Sequence, residues 1–185
     1  MFLRIFLFVF FILNYSLNLY ANEKQIIINQ LLKINNFTFN FEQITQGKIE
    51  IGTCLLVFDN KLKCSYVDDK QKEIIINNKK MVVVQKRYNK IYFYPISKSP
   101  FLKILNKKSL INLVKESNLE IHDNIELIYL DERKKQIIVF FDKKNYDLMG
   151  WKIKDDFQKE IYFSLKILSI NTEIDDALFK IPSLN

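Results

Sequence analysis

His122 is the sole histidine of the chain, set between Ile121 and Asp123 in a strand-like stretch. A histidine beside an acid has the parts of an oriented general base. It needs a nucleophile or a metal to act on, and the sequence offers no second histidine, no nucleophile elbow and no metal-ligand spacing. GKIEIG, from Gly47 to Gly52, has the glycine spacing of a phosphate-cradling loop, yet Thr53-Cys54 stand where Lys followed by Ser or Thr is required. It reads as a strand bounded by glycines. Asp155 and Asp156 are adjacent, so on a strand they point to opposite faces and cannot share a substrate as a carboxylate pair. No enzyme, cofactor or metal is expected from these residues.

Cys54 and Cys64 are the only cysteines. They have the same parity and flank a turn near Asp59-Asn60, so a three-residue or bulged turn would bring them to one face of a hairpin. Two readings stay open there: a cross-strand disulfide, or two small core residues.

The elements that position these residues are mostly extended. Phe37, Phe39 and Phe41 in FTFNFEQ alternate with Thr38, Asn40 and Glu42, placing three rings on one side of a strand. Ahead of it, Ile27, Ile28, Leu31, Leu32 and Ile34 recur at helical spacing and predict one amphipathic helix over Glu23–Ile34 lying against a sheet. Strands are predicted at 37–45, 48–58, 61–67, 72–77, 81–87 and 90–94, separated by turn signals such as Asp59-Asn60, Asp68-Asp69 and Asn77-Asn78. Short connections of this kind favour an antiparallel meander. Residues 97–118 break the rhythm as two short apolar helices joined around Asn106–Ser109, and strands resume at 119–122, 125–130, 136–142, 148–155 and 158–170. Ten or eleven strands in so few residues must curl or split. The expectation is mainly β with α: one curved antiparallel sheet, an incomplete barrel, with its concave face filled by helices or enclosing an apolar cavity. A β-sandwich with a filled core is the alternative.

The first 21 residues have the order of a secretory signal peptide: Arg4, an apolar run from Ile5 to Leu13, and Ala21 at the expected cut. Nine apolar residues fall short of the roughly 20 that a spanning helix needs. Cleavage would leave residues 22–185 as a single domain. The full chain carries 28 Lys and Arg against 21 Asp and Glu. Ile, Asn and Lys abound throughout, so this excess reads as compositional bias rather than as a patch, and nucleic acid is not an expected partner.

The order of these pieces resembles the periplasmic outer-membrane lipoprotein carrier family, LolA. The resemblance rests on the leading helix, FTFNFEQ, GKIEIGTCLLVF, KLKCSY, EIIINNKKMVVV, SPFLKIL, IIVFFDKKNYDLMGWKI and EIDDALFKIP. It implies a half-barrel over a hydrophobic cavity with lid helices, and no catalysis. It also implies a monomeric periplasmic carrier that takes lipoprotein acyl chains from an ATP-driven inner-membrane complex. Delivery would be to an outer-membrane receptor or to the outer membrane directly. By position it places Phe37, Phe39, Phe41, Leu56, Phe58, Leu62, Cys64, Tyr66, Phe101, Leu102 and Leu105 at the cavity. The family's Arg-Pro at the end of the glycine-bounded strand, where the Arg latches the lid by hydrogen bonding, is replaced here by Phe58-Asp59. Phe58 is expected to close the lid by apolar contact instead. A lipid-binding sensor remains an alternative on the same fold.

Overall fold

A computed structural model describes residues 22–58, 60–78, 80–96, 102–132, 134–154 and 159–182. The expected signal peptide, Asp59, Phe101, Asp155 and Asp156 lie outside them.

Helix α1 spans residues 22–33. Its Ile27, Ile28 and Leu31 are buried, with Ile34 just past its end, while Leu32 is 56% exposed. Leu32 was expected on the buried stripe; one residue beyond Leu31, it is rotated about 100° off that stripe. The helix end is closed off by Asn171, which donates from Nδ2 to the Lys33 carbonyl and accepts the Asn35 N–H on Oδ1. One asparagine thus ties the end of α1 to the end of the last strand.

Six strands follow as a meander: β1 (Asn36–Thr45), β2 (Lys48–Val57), β3 (Lys61–Tyr66), β4 (Lys72–Asn77), β5 (Lys80–Gln85) and β6 (Lys90–Pro95). Two helices, α2 (Leu102–Leu105) and α3 (Lys107–Glu116), lead to β7 (Asn118–Ile121), β8 (Ile125–Leu130), β9 (Gln136–Phe141), β10 (Leu148–Lys154) and β11 (Glu160–Ile170). The two meanders join by antiparallel pairing of β1 with β11, giving one sheet in the order β6-β5-β4-β3-β2-β1-β11-β10-β9-β8-β7. It is a curved antiparallel sheet that does not close, as the alternation implied. A single sheet rather than two facing ones removes the sandwich.

With few glycines in the chain, asparagine carries many of the turns. Asn60, Asn78, Asn89 and Asn171 all adopt positive φ, which asparagine tolerates better than most residues. The strand expected over 81–87 ends at Gln85 because the Lys86 and Arg87 N–H groups turn to the carbonyls of Gln71 and Lys70. A 3₁₀ turn at Lys86–Tyr88 results.

Strand alternation sends Phe37, Phe39, Phe41, Leu56, Leu62, Ile76, Leu127, Val139 and Trp151 to one face, where they form one buried cluster with α1 and with Ile104, Leu105, Leu110 and Leu113 of the later helices. Both helical segments therefore lie on the concave side. The convex side is partly covered too: Ile75, Val82 and Val84 pack with Ile91 and with Ile181 of the tail. The tail is pinned by a Lys61–Asp176 ion pair at 2.9 Å and by the fully buried Phe179.

Candidate functional site

Three strands build the wall of the concave face, and its rings are contiguous. Phe41 stacks on Phe163 at 4.9 Å, Phe163 stacks on Trp151 at 4.3 Å, and Phe39 meets Phe163 edge-on at 6.3 Å. Phe37 continues the row to Phe39 at 5.2 Å and to Phe58 at 6.0 Å. Two glycines make this possible. A Cβ on Gly52 would lie 2.2 Å from the Ser65 carbonyl oxygen and 2.8 Å from the Phe41 ring, so the ring lies over a bare backbone. Gly150, at φ +151°, sits at a break in the β9–β10 register beside Trp151.

Between this wall and the β3–β5 flank lies an apolar cavity of about 210 Å³, bounded by Phe39, Phe163, Trp151 and Ile153 on one side and by Leu62, Cys64, Ile74, Ile76 and Met81 on the other. Tyr66 and Gln43 close one end, with the Tyr66 hydroxyl donating to Gln43 Oε1 at 3.3 Å. Burial, with help from nearby Glu50 and Asp68, holds the Tyr66 phenol well above its ordinary pKa, so it remains a donor. Lys72 lies over the Tyr66 ring, its Nζ 3.6 Å from the centroid, and pairs with Glu50 at 2.7 Å. Burial pushes the Glu50 carboxyl upward, but hydrogen bonds and charge from Lys48 and Lys72 outweigh this and leave its pKa lowered. Thus the apolar cavity ends at a charged, hydrogen-bonded rim.

The sequence-derived candidates fall into three groups. Phe39, Leu62, Cys64 and Tyr66 line the cavity. Phe37, Phe41, Leu56 and Leu105 are buried beside it, under or within the helices, and Phe58 and Leu102 are half-buried against the same cluster. Phe101 lies outside the described residues. Trp151, Ile153, Ile161 and Phe163 were missed, although alternation in β10 and β11 aims them inward once those strands are paired with β9 and β1. Cys54 and Cys64 face each other across β2 and β3 and are joined, S–S 2.01 Å. His122 is exposed and meets Glu120 at 3.2 Å, away from the cavity. Among the described residues no cluster of three or more His, Cys, Asp or Glu side chains is placed to hold a metal.

The helices form a lid with identifiable fastenings. The Asn60 N–H donates to the Leu105 carbonyl at 3.2 Å, joining α2 to the β2–β3 turn. Lys107, at the start of α3, donates to Asn35 Oδ1 at 3.0 Å, and its Nζ lies 5.5 Å from the Phe58 ring centroid. At the other end Lys24 of α1 donates to the Lys115 carbonyl at 3.1 Å. Phe58 does reach the lid, but through a lysine above its ring as well as through apolar packing.

An unclosed antiparallel half-barrel whose apolar concave face is partly covered by fastened helices, with a strand-lined cavity beside them, is the architecture of this protein's class. The chain belongs to the LolA family: the model of the family described as outer membrane lipoprotein carrier protein LolA matches residues 32–182. The outer-membrane lipoprotein carrier protein of Campylobacter jejuni is 27% identical over 164 residues, spanning 84% of this chain and 88% of that protein. Two solved structures share the fold. An uncharacterized conserved protein from Thermus thermophilus has TM-score 0.52 at 8% identity, over 88% of this chain and 94% of that one. Lipoprotein LppX of Mycobacterium tuberculosis has TM-score 0.50 at 10% identity, over 85% and 98%.

Proposed function

We propose that this protein is a periplasmic carrier that holds lipoprotein acyl chains under its lid and conveys them from the inner to the outer membrane. The observation that carries this reading is the apolar concave face, part of it an open strand-lined cavity and the adjoining part covered by helices held by a few polar contacts, in a chain of the LolA family. Residues 1–21 act as its export signal, and residues 22–185 are the carrier domain.

The energetics favour a passive vehicle. Burying an acyl chain is worth about 0.8 kcal/mol per methylene, so an anchor left in water is heavily penalised and a carrier must cover it. The bilayer covers it equally well. Extraction therefore needs an energised partner, which family membership supports as an ATP-driven inner-membrane complex. Delivery goes to an outer-membrane receptor or directly to the outer membrane.

A 210 Å³ cavity lies below the roughly 300–1,000 Å³ of ordinary ligand sites. The lid must move to admit an acyl chain, exposing the concave surface under Leu102, Leu105 and Phe58. The chain then replaces helix contacts rather than water, which keeps affinity moderate and release feasible. No group in this scheme breaks or makes a covalent bond.

The test is export into a bacterial periplasm, purification without detergent, and mass spectrometry of co-purifying acyl chains and lipoproteins. Stoichiometric lipidated cargo, lost in Leu102→Asp and in Phe58→Asp, is the expected result. A protein that emerges free of lipid and refuses added lipoprotein refutes the proposal.

A further inference from the structure

The positive charge of this protein is not spread as its composition suggested. Ten of its 28 cationic residues and none of its 21 acidic ones lie between residues 74 and 115. The remaining chain, with 18 cations against 21 acids, is net negative. Within that segment the β5–β6 hairpin forms the free edge of the sheet, and Lys80, Lys86, Arg87 and Lys90 are exposed on it.

The same hairpin exposes aromatic rings where polar side chains are the norm. Tyr88 is 50% exposed, Tyr92 39%, Phe93 61% and Tyr94 46%. Register puts Tyr92 opposite Val83 and Tyr94 opposite Met81, so these two rings extend the concave wall outward from the cavity, which Met81 lines. Phe93 projects from the opposite face, opposite Val82. A protein segment pairing with β6 would bring its strand into the sheet, but β6 is only six residues long and carries Lys90 and Pro95, features that blunt an edge against pairing. Rings standing on both faces, flanked by cations, instead match a membrane interface, where aromatic side chains sit at headgroup level and Lys and Arg meet anionic lipid.

Part of this charge is offset nearby: Lys86 pairs with Glu73 at 2.7 Å, and Arg87 Nη1 donates to the Asp69 carbonyl at 3.3 Å, a bond that leaves the guanidinium its charge. Arg87 and Lys90 are both exposed on the hairpin.

We infer that the β5–β6 hairpin is a docking surface for an anionic phospholipid bilayer, placing the cavity rim against the membrane. It rests on the carrier reading above for its purpose, but its chemistry is tested separately. A cation near an anionic surface contributes roughly fivefold in binding, so removing two should cost about 25-fold.

The experiment is co-sedimentation of the exported protein, its N-terminus defined by intact mass, with phosphatidylcholine vesicles with and without phosphatidylglycerol. Binding to the anionic vesicles alone, weakened by salt, reduced about 25-fold by R87Q/K90Q and abolished by Y92S/F93S/Y94S, is the expected result. Circular dichroism should show both variants folded, since every altered side chain is exposed. Equal binding to neutral vesicles, or a R87Q/K90Q variant that binds as well as the parent, overturns the inference. So does concentration-dependent self-association through β6 without vesicle binding. Uptake of a soluble acylated peptide, measured on the same samples, should survive R87Q/K90Q. Vesicle binding without any uptake would refute the carrier function and leave the docking surface standing.

Discussion

Replacing Lys107 with Met should make this protein bind acyl chains more tightly. The substitution removes the hydrogen bond to Asn35 Oδ1 at 3.0 Å and the cation above the Phe58 ring at 5.5 Å. It keeps a long side chain of similar helix propensity. A partly exposed cation–π contact is worth about 0.5–1 kcal/mol, and the hydrogen bond about the same, so the closed lid loses about 1–2 kcal/mol. That raises the open fraction by roughly 5–30-fold while the closed form dominates. Because apparent affinity scales with the fraction of molecules able to bind, the dissociation constant should fall by the same factor. The assay is built in: Trp151 is the only tryptophan and lines the cavity, so its fluorescence reports entry of an acyl chain. Phe58→Asp works in the opposite direction, by placing a carboxylate where Lys107 can pair with it. Its loss of binding should be partly relieved in F58D/K107M. Unchanged or weaker binding in Lys107→Met would refute a lid held shut by these contacts.

The remaining expectations concern stability and pH. The Cys54–Cys64 bond closes a loop of separation 10, so C54A/C64A should lose about 2–3 kcal/mol, read as a lower urea midpoint. An unchanged midpoint would show that the strand pairing alone fixes the hairpin. Gly52→Ala must push its Cβ into the Ser65 carbonyl and the Phe41 ring, and should destabilise by about 1–3 kcal/mol in the same titration. Tyr66 gives the alkaline limb. Its folded pKa lies above the unfolded value of about 10, so the unfolded chain gives up that proton first. Its contribution is complete below pH 10 and is lost as the pH rises through the folded pKa. Tyr66→Phe should therefore flatten the decline of thermal stability above about pH 10, and an unaltered profile would contradict this.

Alternation of residue types was enough to determine much of this molecule. A period of two over FTFNFEQ and over IIVFF, and a period near 3.6 over residues 27–34, are local properties, because a side chain's direction follows from backbone geometry alone. They determined the extended segments, the leading helix, the two-helix interruption and the common face of Phe37, Phe39 and Phe41, while the structure showed that face to point inward. The same parity put Cys54 and Cys64 on one face but left their bond open, since that depends on the register across the β2–β3 turn. Only the tertiary structure decided what lies opposite what. The cavity exists because β1 pairs with β11, bringing Phe163, on which Trp151 of the neighbouring β10 stacks, against Phe39 and Phe41 from more than 100 residues along the chain. The lid fastening likewise required Lys107 to arrive above Phe58, a meeting of α3 with the end of β2 that no local pattern encodes. Pairing partners and helix docking are long-range choices made by the burial of whole faces, and a sequence read residue by residue carries the faces without their partners.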